Sequence, residues 1–135
     1  MVKFVGDNVL DAALEYIADR GDELVILTGQ PTITEHIKEN DGVGAGKGLG
    51  RIALTLITGG GDYVIQDGDT NGRKLTVSQQ TGINIDVTGT ATDVGIWNTA
   101  TGEILLSTTL TSSQGVTLGN TATVNTFDDE IADAV

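Results

Sequence analysis

The chain has 135 residues, a formal net charge of −12 and no cysteine, and these properties exclude several classes of function. A strongly acidic surface repels phosphate backbones and anionic lipids, so we expect neither nucleic-acid binding nor membrane-surface binding. The lack of cysteine excludes disulfides, thiolate nucleophiles and cysteine-ligated zinc. No apolar run approaches the length of a transmembrane helix. The length suits a single domain with a buried core, which we predict over residues 1–135.

The N-terminal third of the chain predicts a long helix, a buried strand and a glycine-rich loop. Apolar residues recur at helical spacing from Val9 to Ile17, which predicts a helix over residues 8–20. Leu24–Leu27 is a short continuous apolar run, typical of a strand buried on both faces. Residues 41–50 contain five glycines, and we interpret them as a mobile loop or an extended arm because ordering glycine carries a large entropic penalty.

The middle of the chain, from Arg73 to Leu110, alternates polar and apolar residues, which is the period of a half-buried β-strand. Residues 74–78 and 83–88 flank a short linker that contains a glycine, and this arrangement predicts a hairpin. A second hairpin is predicted around the loop at residues 98–102.

The second hairpin has a preferred register. If Trp97 lies opposite Glu103, the apolar side chains of both strands share one face, and a shift by one residue would separate them. Trp97 then falls on the other face, beside Leu105. An exposed patch of this kind indicates a contact with another sheet, with the helix or with another subunit.

The C-terminal region predicts further short strands up to Phe127 and an acidic tail over residues 128–133. Threonine and glycine are abundant and proline occurs once, a composition typical of short strands and tight turns. We therefore predict a mainly β fold, an antiparallel β-sandwich of about eight strands with one N-terminal α-helix packed on it.

One local pattern points to metal binding. Asp67, Asp69 and Asn71 match the opening of an EF-hand calcium loop. Ser78 stands at the twelfth position of that loop, where glutamate is required, and a strand follows in place of a helix. The other interpretation is a polar β-turn, in which Asp, Asn and Gly occur for backbone reasons. We predict no metal or other cofactor, with these three residues as the only candidates.

The sequence offers no recognisable catalytic motif. His36 is the only histidine, and it lies in a second, short helix that a capping-box pattern predicts over residues 32–39. The chain has no G-x-S-x-G nucleophile elbow. Lys47 is followed by Gly48, whereas a phosphate-binding loop requires Ser or Thr there. We therefore predict that the protein is not an enzyme.

Several segments carry a resemblance to a known family, and together they span nearly the whole chain. The segments are Leu10–Ile17, Gln30–Thr32, Asp67–Val77, Gly89–Thr92, Gly119–Thr121 and Glu130–Asp133. In these segments the chain is similar to the small virion structural proteins of tailed bacteriophages. It departs from their pattern at residues 33–60, which are longer and richer in glycine. None of the matching segments is a catalytic motif, so the resemblance is to a scaffold.

The resemblance implies a protein made in the host cytoplasm and located in the virion, where it decorates or cements the head by binding the major capsid protein. A homo-oligomer is expected, with a trimer favoured, since such assemblies usually have closed rotational symmetry. We expect Trp97 and Leu105 at the interface because apolar surface patches mark contacts. Val43 and Leu49 would join them if the glycine-rich loop orders on binding.

Two alternatives stay open. The same scaffold could serve as a structural protein of the tail or baseplate. A calcium-dependent carbohydrate-binding module would instead use Asp67, Asp69 and Asn71.

Overall fold

The computed structural model describes residues 4–133, which form two compact units. The first comprises residues 4–20, 55–79 and 125–133, and the second comprises residues 21–54 and 80–124. The predicted mainly β fold with antiparallel sheets and one main N-terminal helix is confirmed, with nine strands in the described part of the chain. We predicted a single domain over residues 1–135. This range includes residues outside 4–133, and the single domain stays a prediction.

The elements are labelled in chain order. The helices are α1 (Asp7–Ala18) and α2 (Thr34–Lys38), with a short 3-10 turn at Ile57–Gly59. The strands are β1 (Glu23–Leu27), β2 (Gly48–Ala53), β3 (Tyr63–Asp67), β4 (Arg73–Val77), β5 (Gln80–Asn84), β6 (Gly89–Trp97), β7 (Ile104–Val116), β8 (Thr121–Val124) and β9 (Phe127–Ile131).

The first unit consists of α1 and a three-stranded sheet with the order β3-β4-β9. Helix α1 lies against β3 and β4 and buries Leu10, Leu14 and Ala18, which recur every four residues along one face. Its first residue lies one position before the start of the predicted span of 8–20, and its last residue lies two positions before the end of that span. The facing side chain of β4, Leu75, is fully buried.

Strand β9 corrects the prediction of an acidic tail over residues 128–133. Residues up to Ile131 pair with β4, and Phe127, Asp129 and Ile131 are half-buried while the residues between them are exposed. The segment therefore follows the period-two pattern of a strand with one covered face. The run of carboxylates concealed this alternation in the sequence.

The second unit contains a four-stranded sheet with the order β2-β1-β6-β7 and a separate pair, β5-β8. Strand β1 lies at the centre, and its residues Leu24–Leu27 are at most 3% exposed, which confirms the predicted buried strand. The two sheets meet at β2, where Gly50 bridges to Ile85.

The short helix α2 is confirmed, but its predicted capping box is wrong. Helix α2 begins after Ile33, whose side chain makes no cap hydrogen bond. Instead, the backbone N–H of Thr32 donates a hydrogen bond to Nδ1 of His36 at 3.1 Å. The side chain of His36, a residue within α2, therefore accepts a hydrogen bond from the segment that precedes the helix. Ile37, on the next position, is fully buried.

The predicted hairpin between residues 74–78 and 83–88 is wrong. Strand β4 pairs with β3 and β9, whereas β5 pairs with β8 in the other unit. The alternation of each segment identifies which side chains share a face, but it carries no information about the neighbouring strand. Residues 80–82 of the predicted turn belong to β5 itself, so no tight turn forms between the two segments.

The second predicted hairpin exists with a different register. Trp97 lies opposite Ile104 and Ile96 lies opposite Leu106, so Leu105 is an extra residue in β7 and forms a β-bulge. The predicted pairing of Trp97 with Glu103 is wrong. The bulge brings Ile104 to the face of Trp97, where it packs against the tryptophan's cluster. Trp97 itself lies on the face opposite to Ile96, as expected, but this face is shared with Val25 and Leu27 and is buried.

Candidate functional site

The first candidate, the hypothetical calcium loop, connects β3 and β4. Asp67 forms an ion pair with Arg73, the residue opposite it in the sheet. Oδ1 of Asp69 accepts a hydrogen bond from Nζ of Lys74 at 2.7 Å, and this bond is the main reason why the pKa of Lys74 is raised. Both carboxylates therefore face a fixed cation, which competes with a metal ion for their oxygen atoms.

The third residue of that loop is also engaged. Oδ1 of Asn71 accepts a hydrogen bond from the backbone N–H of Asp133 at 3.1 Å. Gly72 has a φ of 73°, and a Cβ at this position would collide with the carbonyl oxygen of Ile131. Across residues 4–133, no group of three or more acidic or histidine side chains is placed to hold a metal ion. The pattern of Asp, Asn and Gly here serves the connection between two paired strands.

The predicted exposed patch at Trp97 is wrong. Trp97 is 5% exposed and belongs to a buried cluster with Val25, Leu27 and Ile37. Its Nε1 atom donates a hydrogen bond to Oε1 of Glu23 at 3.0 Å. The side chain is thus satisfied inside the second unit and offers almost no area to a partner.

The other three predicted interface residues lie in different environments. Leu105, in the bulge of β7, is half-buried. Leu49 is fully buried in β2, and its carbonyl oxygen accepts hydrogen bonds from the N–H groups of Asp86 and Val87. Val43 is 54% exposed. The structure therefore leaves Val43 and Leu105 as candidate contact residues, and it removes the exposure that we expected of Leu49.

The glycine-rich loop is shorter than predicted. Residues 48–50 belong to strand β2 and are buried. The preceding turns are closed by backbone hydrogen bonds, among them Gly48 N to Glu39 O at 3.0 Å and Lys47 N to His36 O at 2.9 Å. The interpretation of residues 41–50 as a mobile loop or an arm is therefore wrong for residues 48–50, because the glycines there allow close strand packing.

A surface that the sequence analysis did not single out lies at the outer edge of β7. This strand has 13 residues, none of them buried, and it ends the four-stranded sheet. An edge strand presents unpaired N–H and C=O groups along one side. Within residues 4–133, no other strand pairs with this side of β7.

The composition of β7 is unusual for an edge. The chain carries no Asp, Glu, Lys or Arg from Ile104 to Phe127, although its net charge is −12. Edge strands are ordinarily protected by charged side chains, by proline, by short length or by β-bulges, and of these β7 has only the bulges. An irregularity where Leu110–Ser113 lie opposite Thr92 interrupts the edge. The regular segment between the bulge at Leu105 and this irregularity, residues 106–109, is open to pairing with another strand.

An open groove follows the C-terminal end of β7. It is lined by Ile85, by the end of β7 and by residues around β8, and no lining residue is charged. The uncharged surface therefore extends from the sheet edge into this groove. No helix within residues 4–133 has both the length and the apolar character needed to cross a bilayer.

Comparison with protein-family models, with curated proteins and with solved structures gives no significant match to the chain.

Proposed function

We propose that the chain is a non-enzymatic structural protein of a phage virion, which decorates or cements the head by binding the major capsid protein. The proposal begins from the resemblance of segments such as Leu10–Ile17 and Asp67–Val77 to small phage virion proteins. The structural observation that supports it is the long uncharged edge strand β7. A protein that acts by assembly needs a surface at which subunits can join, and an open sheet edge is such a surface.

The distribution of charge supports an assembly role in the same way. The net charge of −12 lies entirely outside residues 104–127. Carboxylates on the rest of the surface keep separate molecules apart and soluble. The edge of β7 is a region where another polypeptide can approach without meeting like charges. This contrast favours a specific contact at β7 over nonspecific association through the rest of the surface.

The contact with the capsid would use exposed side chains away from the buried core. Val43, at the tip of the loop before β2, and Leu105, in the bulge of β7, are the two originally expected contact residues that remain accessible. In this proposal the protein is a homo-oligomer in the virion.

The experiment that tests the proposal is co-sedimentation with purified phage particles. The purified chain is mixed with separated heads and with separated tails, and the pellets are quantified by mass spectrometry. We expect saturable recovery with heads, with a fixed number of copies per capsid. An unrelated acidic protein of similar size controls for trapping in the pellet.

Each result has a distinct meaning. Recovery with tails alone would support the tail or baseplate alternative on the same scaffold. Recovery with neither particle would overturn the virion proposal. A cement role further predicts that heads carrying the protein release their DNA at a higher temperature than bare heads, because a ligand that binds only the assembled shell stabilises it.

A further inference from the structure

We propose that β7 pairs with β7 of a second copy of this chain, in antiparallel orientation, about a two-fold axis beside Thr108. The pairing would extend the four-stranded sheet across both copies into one sheet of eight strands. This inference deepens the self-association part of the proposed function. It rests on that part alone and does not depend on where in the particle the protein lies.

The charge distribution of the chain confines a contact between two copies to the edge of β7. Two molecules that each carry a charge of −12 repel each other over most of their surfaces. A strongly basic partner would be expected to choose an acidic region, where it gains charge complementarity. The uncharged edge of β7 gives a basic partner no such gain, but it lets two identical acidic molecules approach.

The pairing register between the two copies follows from which side chains of β7 share a face of the sheet. Leu106 and Thr108 lie opposite the buried residues Ile96 and Val94 and so share one face of the sheet. Leu110, the first residue of the irregularity opposite Thr92, is half-buried like Leu106 and Thr108, whereas Thr109 between them is exposed. Centring the axis on Thr108 places Leu106 of one copy opposite Leu110 of the other, twice, on this face.

The opposite face of the sheet also gives favourable side-chain pairs between the two copies in this register. Ser107 and Thr109 lie opposite Gly95 and Asp93 within the sheet, and across the axis Ser107 meets Thr109 of the other copy. Hydroxyl pairs of this kind are favourable neighbours in antiparallel sheets. A register shifted by one residue would place leucines opposite polar residues of the other face.

The size of the contact predicts reversible association. The regular segment from Leu106 to Thr109 has a length of about 13 Å at roughly 3.3 Å per residue. A strand of that length covers much less than the roughly 800 Å² per partner of a standard stable interface. We therefore expect a concentration-dependent dimer. The resemblance favours a trimer, and the measurements below distinguish the two.

Single-cysteine variants test the register directly, because the chain has no cysteine of its own. In Thr108→Cys the two cysteines lie directly opposite each other, with Cα atoms about 4.5–5.5 Å apart. This separation is within the roughly 4.4–6.8 Å range of disulfides. In the control Thr111→Cys, an exposed position on the same strand, the two Cα atoms would be about 20 Å apart.

We expect mild oxidation to convert Thr108→Cys into a disulfide-linked dimer much faster than Thr111→Cys. Equal cross-linking of the two variants, or none in either, would overturn the register. A lysine at the axis provides an independent test. Thr108→Lys places two ammonium groups opposite each other and should weaken dimerisation at least about tenfold, whereas Thr111→Lys should leave it nearly unchanged.

Sedimentation velocity of the unmodified chain over a range of concentrations provides the remaining readout. A monomer–dimer equilibrium supports the inference, and a strictly monomeric or a trimeric chain overturns it. Circular dichroism of each variant confirms folding. Because these measurements use the purified chain alone, their failure is separate from failure of head binding, which is measured by co-sedimentation with particles.

Discussion

Glu23 Oε1 accepts a hydrogen bond from Trp97 Nε1 at 3.0 Å, so the first residue of β1 holds the last residue of β6. The same oxygen accepts a hydrogen bond from Nη1 of Arg51 at 2.9 Å, and Nη2 of that arginine donates to Oδ1 of Asn40 at 2.8 Å. The carboxylate therefore joins β1, β2, β6 and the segment after α2 on one face of the sheet. This network satisfies the only polar atom of a buried indole.

Replacement of Glu23 by alanine should lower the free energy of unfolding by about 1–3 kcal/mol, because the indole N–H and the guanidinium of Arg51 lose an acceptor. Urea denaturation followed by tryptophan fluorescence measures this, since Trp97 is the only tryptophan. The native emission should also resist quenching by acrylamide. Glu35→Ala, an exposed position on α2, is the control and should change stability by less than about 0.5 kcal/mol.

Two outcomes would contradict the network. Equal effects of the Glu23 and Glu35 substitutions would mean that the hydrogen bonds contribute no stability of their own. Strong acrylamide quenching of the native protein would place Trp97 at the surface, as expected of an interface residue.

The fold was predictable wherever a local pattern was sufficient. The spacing of apolar residues predicted α1, and the apolar run Leu24–Leu27 predicted the central strand β1. The partners of β4 and β5 were not predictable, because both segments alternate in the same way and pairing is decided by tertiary contacts. The wrong register of β6 and β7 has a single physical cause, the extra residue Leu105. Residues 104–106 are all apolar, so the alternation does not show where its phase changes.

The candidate surface was only partly predictable. The absence of charge from Ile104 to Phe127 is visible in the sequence, and it was the signal that could have identified β7. That β7 ends its sheet is a property of the topology, which no local pattern contains. The apolar character of Leu49 and Trp97 was misread as surface because burial by α2 and by neighbouring strands depends on the whole fold.

Gly46 should be intolerant of a side chain. A Cβ at this position would collide with the carbonyl oxygen of Asn40 and lie 2.6 Å from that of Glu39. Gly46→Ala should therefore destabilise the protein by about 1–3 kcal/mol, measured by thermal or urea unfolding. Gly115→Ala is the matched control, since a Cβ there meets no atom within 4 Å. A neutral Gly46→Ala would show that the loop before β2 is loose, as the sequence suggested.

Calcium should leave the melting temperature unchanged, and so should an excess of chelator. The reason is that Asp67 and Asp69 already face Arg73 and Lys74, and a ligand stabilises a protein only if it binds the native state. Differential scanning fluorimetry with calcium, with magnesium as the control ion, measures this. A rise of the melting temperature with calcium that disappears in Asp67→Asn would support the calcium-dependent module.

Asp129 should reduce stability at neutral pH. Its carboxyl group lies opposite the fully buried Leu75 in the pairing of β4 with β9, and burial raises its pKa above the ordinary value. Above this raised pKa the carboxylate is charged in both states, and the folded state alone bears the desolvation penalty. As the pH falls through the raised pKa, the folded state takes up a proton first and the penalty disappears.

Asp129→Asn should therefore be more stable than the unmodified protein at pH 7. This advantage should shrink as the pH falls, and it should be lost below the ordinary aspartate pKa of about 3.9. Urea denaturation of both proteins between neutral pH and acid measures the difference. Glu130→Gln, an exposed neighbour on the same strand, should show no such pH-dependent advantage. An Asp129→Asn variant that is less stable at neutral pH would mean that the carboxylate gains more from its surroundings than it loses by burial.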